Sequence, residues 1–557
     1  MRHVAWSQFR RRLQEEYPYL RPDNPTYRWL VLAAVMVGTF MAVLDATIVN
    51  VALSNLMSSF GVSVDQVEWV VTAYLLVFAV MLPSSGWLAD HLGYKLIFLT
   101  GLFVFTLSSF LCSLAWNLNA LIVFRILQGA GAGALMPVGM AIVTREFPPE
   151  KRGLAIGFWS VAASASISLG PTLGGYLIDH YSWHTIFDVN VPIGILGAVA
   201  LLIILREHRS EGRRSFDLVG FFSLSAFLTA LLLALANGNS SWNTGGWTSR
   251  YILTCFGISA VGLMVFLITE LTVRHPLIEL GLFRNFNFTV SNMVSFMFGL
   301  GMFGSTFLLP IYLQNSLGYT PLQAGLVFLP VGFLQGICAP FAGFFADRHD
   351  PRIPVILGLS LMAYTFYQFG SLSYFSERPE IMLSLYLRGI AMGILFAPLM
   401  TMSLSEIPNA KMAQASGLMN VIRQLGGSFG VAIFGTILTR RTIFHSAMYG
   451  QQMSSSSQST RDTLMRLQQF AAHRTGGTAS IALAKAKVEI AAFVSNQAFV
   501  SAVDDVFLVV TVIVLLSVIP VFFLRVHKRG GRQTRSGATR GPEMPGAARQ
   551  SSEAGAR

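Results

Sequence analysis

Apolar runs of about twenty residues, separated by short polar connections, recur about fourteen times along the chain. A run of that length, coiled as a helix, crosses the ~30 Å hydrocarbon core of a bilayer. The runs begin at Trp29, Val67, Leu96, Ala120, Leu154, Ile186, Leu218, Tyr251, Phe288, Leu322, Ile353, Ile381, Gly417 and Val503. Gly and Pro recur inside them, which is ordinary in membrane helices, where neighbours re-satisfy the backbone. The pattern predicts an all-α polytopic membrane protein. Residues 29–205 form a first block of six helices, 218–271 an inserted pair, and 288–524 a second block of six. Flanking these are a 1–28 N-terminal segment, a long polar outer loop over 440–502, and a basic, Gly/Ser-rich tail over 526–557 that reads as disordered.

Composition agrees: 53% of residues are hydrophobic and 12% charged, about half the charged fraction of a soluble domain. The net charge of +12 would suit nucleic acid, but the cations fall in alternate short connections rather than on one face. Arg2, Arg10, Arg11, Arg12, Arg21 and Arg28 precede the first run. Lys95, Arg145, Lys151, Arg152, Arg206, Arg209, Arg213, Arg214, Arg274, Arg284, Arg348, Arg352 and Lys411 occupy every second connection, and the others hold only Arg250 and Arg378. By the positive-inside rule both termini are expected in the cytoplasm, which requires an even number of spans. The first span is expected to be retained as its own targeting signal. Residues Ala5 to Leu20 lie along the inner surface or form a solvated basic tail. The three cysteines, Cys112, Cys255 and Cys338, fall inside runs, so no disulfide framework is expected.

The two blocks echo each other. GWLADHLG, Gly86 to Gly93, follows the second run, and GFFADRHD, Gly343 to Asp350, follows the second run of the later block. Two runs on, each has an arginine and a glycine in an apolar stretch: Arg125 with Gly129, and Arg388 with Gly389. Parallel repeats of this kind describe transporters whose substrate site lies between the halves near mid-membrane.

Asp45 interrupts an otherwise uncharged run, Trp29 to Leu53. Charge at bilayer depth costs about 3 kcal/mol even on lenient insertion scales, so the acid is a candidate proton carrier or a structural acid bonded to a neighbouring helix. Arg125 either tunes such an acid or bonds to helix carbonyls. Asp90, with Gly86, Gly93 and Lys95, caps the next helix or pairs with a cation as a latch; Asp347 and Arg348 are the counterparts in the second block. Gly170, Pro171, Gly174 and Gly175 suit a sliding helix contact. Thr47, Asn50, Gln128, Arg388, Phe298 and Met302 are candidate cavity residues. Phe296, Met297 and Phe303 join Phe298 and Met302 as a pliable lining, or face lipid or core. His180, His184 and Asp188 are spaced by four, which would bind a metal only if the segment were one helix; Asp188 is otherwise a second titrating group, and no metal site is expected. In the 440–502 loop, Thr463 to Phe470 and Ser480 to Phe499 have helical character, with Ile481, Ala484, Val488, Ala491 and Ala492 near one stripe. This is a helical pair over the outer mouth or a docking site for another chain. Ser454 to Thr460 marks a break.

These motifs resemble the major facilitator superfamily, specifically its fourteen-span drug:proton antiporter branch of the EmrB/QacA type. LDATIVNVAL, Leu44 to Leu53, is similar to the first-helix signature, with Ser54 where Pro is usual. GWLADHLGYKL, Gly86 to Leu96, resembles the loop signature, with His91 and Tyr94 replacing arginines. RILQGAGAGALMP, Arg125 to Pro137, resembles the fourth-span signature, and LGPTLGGYL, Leu169 to Leu177, the antiporter signature, with Ser166 where glycine is usual. WHTIFDVNVPIG, Trp183 to Gly194, resembles the start of the sixth span, with His184 for an arginine. NVIRQLGGSFGVAIFGT, Asn420 to Thr436, resembles the thirteenth span. The resemblance implies proton-driven export of lipophilic small molecules across a bacterial cytoplasmic membrane, without a cofactor, together with a periplasmic adaptor and an outer-membrane channel as partners. A dedicated exporter of one metabolite, siderophore or lipid is the nearer rival. A membrane-embedded enzyme or sensor is the other, and the sequence has no H-E-x-x-H or nucleotide loop for it.

Overall fold

The computed structural model describes residues 15–21, 23–207, 217–240, 242–273, 276–372, 378–408, 411–453, 458–475 and 479–525. Arg209, Arg213, Arg214, Arg274, most of the N-terminal segment, Ser454 to Ser457 of the expected break, and the 526–557 tail lie outside the described residues. The described chain is helical, without strands. The long helices are α1 (Pro25–Phe60), α2 (Trp69–Leu92), α3 (Tyr94–Ser113), α4 (Leu118–Glu146), α5 (Arg152–His180), α6 (Asn190–Ile204), α7 (Leu218–Asn237), α8 (Arg250–Thr272), α9 (Phe286–Asn315), α10 (Leu329–Arg348), α11 (Arg352–Phe369), α12 (Arg378–Leu404), α13 (Met412–Gln452), α14 (Gln458–Thr475) and α15 (Ala479–Phe522).

Among the described residues thirteen helices are long and apolar enough to cross a membrane. The stretch expected to span from Ile353 is not one of them. It forms α11, eighteen residues opened by Arg352 and ending among Tyr364, Tyr367 and Gln368. Its apolar face, Val355, Leu359, Met362 and Phe366, is nevertheless fully buried, and the helix packs against α12 and α15. The expected outer loop over 440–502 is mostly helix. α13 continues to Gln452, and α15 starts at Ala479. At 1.5 Å per residue these helices of 41 and 44 residues are about 60–65 Å long, twice the hydrocarbon thickness. Polar composition marked that region as outside the membrane, and helical periodicity carried on through it. The stripe Ile481, Ala484, Val488, Ala491 and Ala492 is exposed, and α15 instead buries Ala482 and Ala486.

Several termini are fixed locally. Asn24, Asn117, Asp217, Ser249 and Asn285 cap α1, α4, α7, α8 and α9 with side-chain oxygens that accept backbone N–H groups. Gly93 ends α2 with φ +108°, a conformation that L side chains avoid.

Helices α1–α6 pack among themselves, as do α9–α13 with α15. The halves meet along two seams, α5 on α10 and α2 on α13, each joining the second helix of one block to the fifth of the other. The α5–α10 seam is tight: a Cβ on Gly153 or Gly343 would strike the backbone of the other helix. In the α2–α13 seam, Gly86 faces the Ala413 backbone and Gly417 faces Leu82 and Pro83, and beside it Ser416 Oγ of α13 donates to Pro137 O of α4 at 3.1 Å. Farther from these contacts α7 enters the seam, packing Leu232 on Leu76 and Ala79, and Leu231 and Leu235 against Ala432. Trp247 Nε1 donates to Thr436 Oγ1 at 2.9 Å, and Asn239 Nδ2 to Ala432 O at 3.2 Å, so the inserted pair is pinned to α13.

Candidate functional site

A cavity of about 520 Å³ lies between the halves. Thr47, Asn50, Tyr74, Trp159 and Ser160 line it from the first block, Leu235 from α7, and Phe298, Met302, Thr306, Gln335, Phe396, Asn420, Arg423 and Gln424 from the second. Of the expected cavity residues, Thr47, Asn50, Phe298 and Met302 face it. Gln128 and Arg388 are buried behind its walls, because both turn toward polar partners inside their own bundles.

Behind Tyr74, in the first bundle, Asp45 and Arg125 form a fully buried ion pair. Gln128 Nε2 donates to Asp45 Oδ1 at 2.8 Å, and Arg125 Nη1 also donates to Gln128 Oε1 at 2.7 Å. Arg125 Nε reaches Val70 O at 3.0 Å. Asn190 Nδ2 lies 3.4 Å from Asp45 Oδ1 and 3.1 Å from Ser109 Oγ, and Ser109 Oγ donates to Phe187 O at 2.9 Å. Helices α4 and α6 thus bond the α1 carboxylate directly, and α2 and α3 hold the residues that do so. A buried pair is tolerable only when its remaining polar atoms are satisfied, and here Arg125 Nη2 and Asn190 Oδ1 still lack partners. The Arg125 guanidinium lies 4.1 Å from the Tyr74 ring centroid. Tyr74 OH donates to Ala42 O at 2.9 Å, so one ring separates the ion pair from the cavity and ties α2 to α1.

The glycines of α5 meet α1 one turn from Asp45. A Cβ on Gly170 would strike Thr47, and one on Gly174 would lie 2.8 Å from Ile48 Cγ1. Gly175 is buried beside them, and Pro171 faces Gly325 of the second half. At the basic end of the bundle Asp347 crosses between halves: Oδ1 accepts from Gly153 N–H at 2.8 Å and Oδ2 from Leu154 N–H at 2.9 Å, capping α5. Asp90 accepts a short hydrogen bond from Tyr94 OH, the residue standing where the related signature has an arginine. Arg145 lies 4.6 Å from the Tyr94 ring centroid. Lys95 Nζ donates to Leu202 O and Leu205 O at 2.7 and 2.8 Å, closing the end of α6, and Arg348 lies over Phe344.

His180, His184 and Asp188 do not share a helix face. α5 ends at His180 and a new short helix starts at Thr185. His180 stacks on Tyr176 and His184 on Trp183, while Asp188 is exposed. No group of three potential ligands forms among the described residues. The stretch GGSFG, Gly426 to Gly430, has the letters of a serine nucleophile elbow, but it lies inside α13 rather than on a strand-to-helix turn. Sequence reasoning singled out neither Tyr74, Ser109 and Asn190 nor Arg423. Asn190 and Arg423 stood inside quoted motifs, and Arg423 carried a usable signal as a second arginine in an apolar run.

The model of the Major Facilitator Superfamily matches residues 35–431. The chain belongs to that superfamily. It is a multi-pass membrane protein of a family of transporters. It is 32% identical over 482 residues to the multidrug export protein EmrB of Haemophilus influenzae, covering 86% of this chain and 92% of that one. With EmrB of Escherichia coli K12 it shares 34% identity over 438 residues, covering 76% and 83%. The human organic anion transporter MFSD10 has the same fold, with a TM-score of 0.58 at 14% identity over 89% of this chain and 99% of that one. At that identity the likeness extends to the fold alone.

Proposed function

We propose that the protein is a proton-coupled antiporter that exports lipophilic small molecules across a bacterial cytoplasmic membrane by alternating access. The observation that carries this reading is the buried Asp45–Arg125 pair placed one tyrosine ring behind a mostly apolar central cavity. The similarity to multidrug export proteins supports the cargo class.

In the charged state Asp45 holds Arg125, Gln128 and Asn190. A proton arriving on Asp45 cancels its charge and frees Arg125, whose guanidinium rests on Tyr74. Tyr74 anchors α1 and faces the cavity, so the protonation state is felt at the substrate wall. The Gly170/Gly174 contact lets α1 shift against α5, and the Asp347 clasp on α5 holds the basic face closed until the halves rock. One charge moving down the membrane potential supplies about 2.3 kcal/mol per 100 mV, enough for roughly a fiftyfold substrate gradient. The exposed stripe on α15, beside α14, is where a periplasmic adaptor leading to an outer-membrane channel would dock.

The test is lipophilic dye efflux from everted vesicles with pH followed in parallel, comparing the natural chain with Asp45→Asn at matched expression. Loss of both uphill efflux and substrate-induced proton release is expected. Proton-coupled transport that persists in Asp45→Asn sinks the assignment of Asp45. Failure of the natural chain to move any dye favours a dedicated exporter.

A further inference from the structure

The second block repeats the arginine of the first block but not its acid. Asp45 stands twenty positions after Pro25, which opens α1, and Thr306 stands twenty positions after Phe286, which opens α9. Arg125 donates to Asp45. Arg388, its counterpart in α12, donates to Thr306 Oγ1 at 2.6 Å and to Met302 O at 3.4 Å. Where the first bundle has a carboxylate, the second has a neutral hydroxyl. Arg388 is 2% exposed, and its Nε and Nη1 are buried without partners.

Among the described residues no ion pair to Arg388 forms, and on α15, which packs against α9, Asp505 is taken by Arg441 and His445 with Asp504 beside it. Helices α9 and α13, α10 as far as Ala346, and α12 from Ile381 onward contain no Asp or Glu. A second guanidinium, Arg423 of α13, lies on the cavity wall itself, 4.9 Å from the Phe396 ring centroid and bonded to Asn420 Oδ1 at 2.6 Å. Thr306 and Met302, to which Arg388 donates hydrogen bonds, also line the cavity. One side of the cavity therefore has a guanidinium on its wall and a second buried behind it, a costly arrangement unless an anion completes it.

We propose that the cavity takes amphiphiles carrying a single carboxylate or similar anionic group, seated between Arg423 and Thr306 with Arg388 behind. The anion of the cargo takes the role in the second half that Asp45 plays in the first. This rests on the exporter reading above and names its substrate class. It also sets the charge moved. A monoanion leaving as one proton enters carries two charges down the potential per cycle, against one for a neutral cargo.

The test is equilibrium binding at pH 7 to the full chain in neutral-lipid nanodiscs, using 1-naphthaleneacetate, its uncharged amide, and the cation 1-naphthylmethylammonium. The natural chain should bind the carboxylate at least tenfold more tightly than the amide, with the cation weakest. Thr306→Asp, which supplies the missing acid from within and leaves both arginines in place, should abolish that preference, bringing the ratio of carboxylate to amide affinity to about one. Arg423→Gln should do the same, and Arg423→Lys should keep most of the preference. Equal binding of all three probes by the natural chain, preference for the cation, or no binding at all overturns the proposal. So does an anion preference that survives both Thr306→Asp and Arg423→Gln. Binding needs no proton gradient, so the two readings fail separately. Intact proton-coupled dye efflux without anion preference removes only the anion site, and anion preference without coupled efflux removes only the exporter.

Discussion

Two residues of the ion pair were visible in the sequence because a charge in an apolar run has few neutral explanations. Asp45 and Arg125 stood out on that ground alone, and the structure brings them together. Asn190 and Ser109 did not stand out, since Asn and Ser are ordinary in membrane helices and only their convergence from α6 and α3 gives them meaning. Gln128 was legible as polar but not in direction, because the period of a helix does not say which bundle neighbour a side chain will meet. Removing one partner of a buried pair costs about 3–5 kcal/mol. Asp45→Asn should accordingly lower thermal stability in detergent, and the double variant Asp45→Asn with Arg125→Gln should recover much of that loss while restoring no proton coupling. A double variant as unstable as the single one would show that the charges are not energetically paired. Gln128→Leu should keep transport but shift its pH profile, because Asp45 loses a donor that favours its charged form; an unchanged profile would remove Gln128 from the network.

At the scale of elements, helix positions were read closely and helix ends were not. Runs beginning at Leu218, Tyr251 and Phe288 became helices starting within two residues of those points. The helical character read at Thr463 to Phe470 and Ser480 to Phe499 is realised in α14 and α15, but the extension of α13 to Gln452 escaped notice because hydropathy stops reporting once a helix leaves the bilayer. The His180–Asp188 spacing failed for the opposite reason, since a turn between α5 and the next helix breaks the assumed period. That turn offers a pH test. Partial burial pushes His184 below its usual value, and the Asp188 carboxylate opposes the shift. A base whose value is lowered by folding favours the fold less once pH falls below its unfolded value, about 6.5. Hydrogen-exchange protection at Tyr181 to His184, taken relative to the intrinsic amide rate at each pH, should therefore fall on acidification through that point, and His184→Gln should remove the dependence. The Asp347 clasp gives a second test: Asp347→Asn keeps an acceptor but loses the charge at the α5 terminus. Inter-half crosslinking between cysteines placed at Lys151 and Arg348 should fall severalfold, and undiminished crosslinking would count against the clasp.

Over the whole molecule, the two-block repeat was legible from GWLADHLG and GFFADRHD, and the seams follow from it, each joining second and fifth helices. The departure from symmetry was not legible, since aligning Asp45 with Thr306 requires knowing where α1 and α9 begin. If the second half carries uncompensated charge, efflux of a monoanion should depend about twice as steeply on membrane potential as efflux of a neutral cargo. Valinomycin-clamped vesicles measure this directly, and equal slopes would contradict it. Deleting Gln458 to Thr475 should spare insertion and abolish adaptor co-purification if α14 belongs to the docking surface.

The wedge of α7 in the α2–α13 seam has a consequence for directionality. A lipophilic cargo dissolves in the same bilayer that it must leave, so a transporter with an open side would return it to lipid as fast as it collected it. Along this seam α2 and α13 touch directly toward one face, and α7 fills the space between them toward the other. On that flank α7 stands beside the cavity, with Leu232 and Leu235 in its lining, so under the proposed export a released molecule would pass to water and not back to the membrane.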